Sequence, residues 1–135
     1  MSNLEQTLSI IKPDAVERNL HNEIKEMFKS KGFLISKEKK IQIEKSEAEK
    51  FYKVHQTKPF YNDLCNYLSS GPIVVMILEG ENAVLKNREL MGATDPSKAN
   101  EGTLRKMYGV SIDKNSVHGS DSLENGKLEI NFFFK

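Results

Sequence analysis

His118 lies in a run whose residue types suit chemistry: Asn115, Ser116, Val117, His118, Gly119, Ser120, Asp121 and Ser122. A neutral imidazole near pH 7 is both nucleophilic and basic, and the adjoining glycine opens space beside the ring. Glu129, on the helix expected to follow, is placed to accept the other ring N–H and fix the tautomer. Histidine, serine and aspartate together would also suit a hydrolase triad, but the chain has no Gly-x-Ser-x-Gly elbow. A second stretch offers anion ligands: Arg88, Thr94 and Arg105 beside Gly92 and Gly102, with Lys12 at the carboxyl end of the first expected strand. Guanidiniums present forked donors to phosphate oxygens, a lysine adds a compact charge, and a threonine hydroxyl or loop amide completes a cradle. From residue types and spacing alone, both stretches also read as ordinary polar loops, with a structural histidine and solvated charges.

Something must hold these stretches together. Thr7 to Ile11 is a β-prone run stopped by Lys12-Pro13, and Leu20 to Lys31 carries Leu20, Ile24, Met27 and Phe28 on one helical face before Gly32. Phe33 to Ile43, with Lys37 to Lys40 inside it, reads as a long strand with one end in water. Ser46-Glu47-Ala48-Glu49 reads as a capping box opening a helix, and a second helix spans Tyr61 to Leu68. Ile73 to Leu78 is too continuously apolar for a half-exposed edge and reads as a central strand. Asn82 is placed to cap a helix from Ala83 to Met91 that Gly92 closes. After an irregular stretch come a short helix over Thr103 to Tyr108, a brief strand at Ser116 to His118, and a last helix capped by Asp121-Ser122. This order predicts an α+β, ferredoxin-like sandwich: a four-stranded antiparallel sheet with helices on its faces.

The chain has 135 residues, 38% of them hydrophobic, which suits a single domain spanning 1–135 with one core. Lys and Arg number 20 against 19 Asp and Glu, a net charge of +1. That balance argues against a dedicated nucleic-acid-binding protein, which captures its polyanion through an excess of positive charge. Ile73 to Leu78 is the longest apolar stretch, far short of the roughly 20 residues of a membrane helix. No targeting pattern is visible at the amino terminus, so the expected location is the cytoplasm. Cys65, the one cysteine, reads as a small core residue. His21 and His55 lie in helix patterns and read as surface or packing residues.

Several segments then combine. Ser9-Ile10-Ile11-Lys12-Pro13-Asp14-Ala15-Val16, Ser70-Gly71-Pro72-Ile73-Val74, Arg88-Glu89-Leu90-Met91-Gly92-Ala93-Thr94-Asp95-Pro96, Gly102-Thr103-Leu104-Arg105 and the Asn115–Ser122 run resemble nucleoside diphosphate kinase in order and spacing, from about Glu5 to Phe134. The resemblance implies a ping-pong enzyme: His118 takes the γ-phosphate of a nucleoside triphosphate as phosphohistidine and passes it to a nucleoside diphosphate. It implies that Glu129 orients His118, and that Lys12, Arg88, Thr94 and Arg105 bind phosphates. Tyr52 would line the phosphate pocket, Phe60 and Leu64 would receive the base, and Asn115 with Lys12 would contact the sugar hydroxyls. Mg²⁺ would be held through nucleotide oxygens and water, with at most an indirect contact from Asp121 and no direct protein ligand. A homo-oligomer is implied, a tetramer or a hexamer built from dimers. The chain departs from the family pattern at Glu101 (usually proline), Asn22 (usually glycine), Gly126 (usually alanine) and Lys106-Met107-Tyr108. The competing reading is a catalytically silent nucleotide- or DNA-binding regulatory protein on the same fold, against which the intact His118, Lys12, Arg88, Arg105 and Glu129 speak.

Overall fold

A computed structural model describes residues 4–110 and 114–134. Four strands, β1 (Leu4–Ile11), β2 (Leu34–Ile41), β3 (Ile73–Glu81) and β4 (Val117–Gly119), form one antiparallel sheet in the order β2-β3-β1-β4. β3 reads apolar without a break from Ile73 to Leu78, and its central partner β1 is buried from Thr7 to Ile11, because both faces of this pair are covered. Ile11, Val74, Met76 and Leu78 meet the helices α2 (His21–Ser30) and α5 (Ala83–Met91) through Ile24, Phe28, Leu90 and Met91. Leu8, Ile10, Ile73 and Val75 meet α3 (Lys45–Phe51), α4 (Tyr61–Leu68) and α7 (Leu123–Phe133) through Ala48, Cys65, Leu68 and Phe133. This is the ferredoxin-like α+β sandwich expected from the element order.

Local chemistry departs from the sequence expectation at element ends. Pro13 stops β1 and also begins the short helix α1 (Pro13–Glu17), because a ring without an N–H fits the first helical turn. Lys12 thereby becomes the residue that precedes that turn. The strand expected over Phe33 to Ile43 is shorter, Leu34–Ile41, and is interrupted by a bulge between Ile35 and Lys37. The capping box of α3 lies two residues earlier than expected, on Glu44 and Glu47. A carboxylate there accepts the amide as a serine would and adds a negative charge at the positive end of the helix dipole. Asn82 precedes α5 in a left-handed conformation and makes no side-chain cap; instead the Glu5 carboxylate accepts the Val84 N–H at 3.2 Å. At the start of α6 (Leu104–Tyr108), Thr103 accepts the Lys106 N–H, and Ser122 caps α7 by accepting the Asn125 N–H. Cys65 is fully buried, as expected of a core residue. No helix among the described residues is long and apolar enough to cross a membrane.

Candidate active site

β4 has three residues and pairs along the end of β1, Ile11 with Val117, Ile10 with His118 and Ser9 with Gly119. Alternation along so short a strand sends neighbouring positions to opposite faces of the sheet. His118 accordingly turns toward α3 and α7, where its ring meets Phe51 edge-on at 5.3 Å between centroids. Gly119 turns toward α5, where a β-carbon would come within 2.3 Å of Asn87 Nδ2 and 2.7 Å of Met91 Cε.

His118 Nε2 lies 3.1 Å from Glu129 Oε1, and the two side chains are only 20% and 21% exposed. The same carboxylate oxygen accepts the Ser120 hydroxyl at 2.7 Å, while Ser120 Oγ accepts the Leu8 N–H of β1 at 3.2 Å. A backbone amide therefore fixes Ser120, Ser120 fixes Glu129, and Glu129 fixes the imidazole. His118 and Glu129 wall a cleft of about 290 Å³ together with Lys50, Phe51, His55, Asp121 and Phe132. His55, expected as a surface or packing residue, is thus a second imidazole of this cleft, and its Nδ1 is buried without a protein partner.

A second, more polar cavity of about 190 Å³ is walled by Arg88, Gly92, Thr94 and Arg105, and Gly119 belongs to both cavities. α5 contributes Arg88 from its last turn and α6 contributes Arg105 from its first. Arg105 is held rigidly, donating from Nη1 to the Gly92 carbonyl and from Nη2 to the Val117 carbonyl, each at 3.0 Å. Its Nε is buried with no acceptor. Burial, and then the like charge of Arg88, pull the Arg105 guanidinium down to about 10. Two guanidiniums that repel one another with a donor to spare constitute a site that an anion would relieve.

The other expected residues fall around these cavities. Lys12, only 6% exposed, donates from Nζ to Asn115 Oδ1 at 2.9 Å, and Asn115 Nδ2 donates to the Thr94 carbonyl at 3.2 Å. Lys12, Thr94 and Asn115 are thus one bonded group. Phe60 is exposed at the entrance to α4, its ring 6.1 Å from that of His55. Leu64 packs half-buried from α4 against the core. Tyr52 is not among the residues of either cavity; it is a core residue whose ring lies 5.1 Å from Phe51 and 6.2 Å from His55. Burial, reinforced by Cys65 and Glu129, raises its phenol above the ordinary value, so the O–H keeps its proton at neutral pH. Among the described residues no group of three or more His, Cys, Asp or Glu could hold a metal ion. Asp121 is the acid at the cleft that is not committed to His118.

From the sequence, Ser120 had no role of its own, Gly119 only that of opening space beside the ring, and His55 only a surface or packing place. The first two could have been found from their place in the His118 run, but their use depends on contacts with β1 and α5 that spacing does not reveal.

The sequence profile described as nucleoside diphosphate kinase matches residues 5–135. The chain belongs to the nucleoside diphosphate kinase family. It is 60% identical to the nucleoside diphosphate kinase of Nitratiruptor sp. over 131 residues, covering 97% of this chain and 96% of the relative. It is 58% identical to that of Wolinella succinogenes over the same shares of the two chains. Among solved structures, the nucleoside diphosphate kinase of Aquifex aeolicus superposes with a TM-score of 0.95 at 38% identity, over 98% of this chain and 96% of that one.

Proposed function

We propose that this member of the nucleoside diphosphate kinase family moves the γ-phosphoryl group of a nucleoside triphosphate to a nucleoside diphosphate through a phosphohistidine on His118. The observation that carries the reading is the Nε2 contact with Glu129 at 3.1 Å on one side of Gly119, with the paired arginines on the other. A proton on Nε2, donated to Glu129, leaves the lone pair on Nδ1. That lone pair attacks the γ-phosphorus as the bond to the bridging β-oxygen breaks, and the nucleoside diphosphate departs with the electrons. In the second half a terminal oxygen of the incoming diphosphate attacks the same phosphorus, the P–N bond breaks and the pair returns to Nδ1. The proton on Nε2 need not leave in either half.

The transferring unit is metaphosphate-like, so catalysis consists of positioning and charge neutralisation. Arg88, Arg105, Thr94 and Lys12 carry the second task, and the burial of Lys12 and the partial burial of Arg105 keep those two fields strong. Mg²⁺ would arrive with the nucleotide and spread the negative charge of its phosphates, and Asp121, which lines the cleft, would supply at most an indirect contact. Phe60 offers a face on which any base stacks, with Leu64 beside it, which suits a broad choice of base. Lys12 and Asn115 would receive the sugar hydroxyls, and Tyr52 would support the pocket from beneath rather than line it. We place this single-domain protein in the cytoplasm as a homo-oligomer, a tetramer or a hexamer of dimers.

Intact-protein mass after brief incubation with ATP and Mg²⁺ at alkaline pH tests the reading. One phosphoryl adduct is expected, discharged by GDP as GTP forms. The variant His118→Ala should lose the adduct and still bind ADP. Nucleotide binding by the unaltered protein with no adduct would replace this reading by the silent regulatory one.

A further inference from the structure

The backbone between Asn115 and His118 is strained at a residue that is not glycine. Ser116 has a φ of +74°, and the Val117 N–H donates across it to the Asn115 carbonyl at 2.9 Å. That is a three-residue turn of the rarer, positive-φ form, which L side chains adopt only when their surroundings enforce it. Ser116 is fully buried, and its hydroxyl shows what enforces the turn. The hydroxyl lies 2.7 Å from Asp14 Oδ2, to which it donates, and it accepts from Arg18 Nη2 at 3.1 Å. The Tyr108 carbonyl stands 3.0 Å away as an alternative acceptor. Arg18 also pairs with Asp14 Oδ2 at 3.1 Å and donates from Nε to the Asp14 carbonyl at 3.0 Å. The Tyr67 hydroxyl bonds Asp14 Oδ1. Asp14 itself is 8% exposed, so its charge is compensated by these donors rather than by water.

These bonds close a ring through the sugar-side residues. Lys12 immediately precedes α1, and its backbone N–H donates to the Ser116 carbonyl at 2.8 Å. Its side chain donates to Asn115, the residue before Ser116, at 2.9 Å. Asp14, in the first turn of the same helix, takes the Ser116 hydroxyl. The position of Asn115 relative to Lys12 is therefore set twice, once by their own contact and once through Ser116 and Asp14.

We propose that Ser116 is a positioning residue for sugar recognition: its hydroxyl, locked between Asp14 and Arg18, holds the strained turn that aims Asn115 and Lys12 at the nucleotide's sugar hydroxyls. This rests on the nucleotide site described under the proposed function. A serine acting only as filler would affect every ligand alike. A serine that aims Asn115 affects those ligands that carry the hydroxyls.

The test is equilibrium binding of GDP and of 2′,3′-dideoxy-GDP, without ATP, to the full chain and to Ser116→Ala and Ser116→Gly. Both variants should lose about 5- to 10-fold in affinity for GDP and less than about 2-fold for the dideoxy analogue, with kcat for GDP changed by less than about 2-fold. Glycine bears the positive φ more readily than serine, so Ser116→Gly separates the hydroxyl from the backbone and folds where alanine does not. Equal losses for both ligands, or full discrimination retained in Ser116→Gly, would overturn the proposal, as would an unaltered protein that binds both ligands equally. Because this binding needs no phosphoryl transfer, an unaltered protein that binds GDP but forms no phosphoenzyme sinks the proposed reaction and leaves the comparison standing.

Discussion

Glu129 offers one oxygen to two donors, the His118 ring at 3.1 Å and the Ser120 hydroxyl at 2.7 Å. Replacing it by glutamine keeps a hydrogen-bonding side chain but removes the charge that fixes the tautomer. Glu129→Gln should lower kcat roughly 10- to 100-fold with little change in KM, read by steady-state kinetics; an unchanged kcat would remove Glu129 from the mechanism. Gly119 is as constrained as His118, the proposed nucleophile beside it. A β-carbon there would press into Asn87 and Met91 of α5, so Gly119→Ala should cost about 1–3 kcal/mol in denaturant unfolding and displace Arg88. At this scale the sequence pointed to residues that the fold does bring together, His118 with Glu129 and Arg88 with Arg105. It was silent where chemistry is borrowed through space: Ser120 matters because the Leu8 amide holds it, and His55 because the fold turns it into the cleft.

The arginine pair joins two helices that repel one another at the point where function brings them together. Arg105 has a lower proton affinity folded than unfolded, so its buried charge opposes folding at every pH below about 10, and the opposition lifts only as pH rises above that value. At neutral pH an anion must provide the relief. Arg88→Gln should therefore raise the Tm of the ligand-free protein by a few degrees while weakening ADP binding by about tenfold or more, both read in one thermal-shift titration. In α7, Gly126 costs the helix about 1 kcal/mol relative to alanine. A β-carbon there would meet the Gln6 carbonyl at 3.4 Å and Ser120 Oγ at 3.6 Å, which is ordinary contact. Gly126→Ala should stabilise the fold by about 0.5–1 kcal/mol without loss of activity, and a lower Tm would show that the space is not available. The strands were legible in their β-branched runs, and most of the longer helices in their apolar spacing. Helix starts were less so, because Glu44 with Glu47 and Ser46 with Glu49 satisfy the same capping pattern, and only packing chooses between them. The short helix α1 carries too few residues for any periodicity to show.

For the whole molecule, the element order made the sandwich legible, since helices between strands of one small sheet leave few right-handed, uncrossed arrangements. The three-residue β4 follows that expectation, pairing with β1 rather than with the strand before it in sequence, as the ferredoxin-like arrangement requires. Near-neutral net charge predicts that binding of nonspecific DNA is weak and fades steeply with added salt, whereas nucleotide binding in the recessed cavities persists; filter binding and calorimetry across a salt series check this. The bonds that build the site also span great distances along the chain: Lys12 to Asn115 across 103 residues, Asp14 to Ser116 across 102 and Leu8 to Ser120 across 112. A polypeptide emerging from the ribosome can fold local helices early, yet none of these partners can meet until residues 115–120 have cleared the exit tunnel. A nascent chain that has not yet exposed them therefore lacks the bonds that build the proposed catalytic centre, and the appearance of activity during translation marks the moment at which β1 closes upon β4.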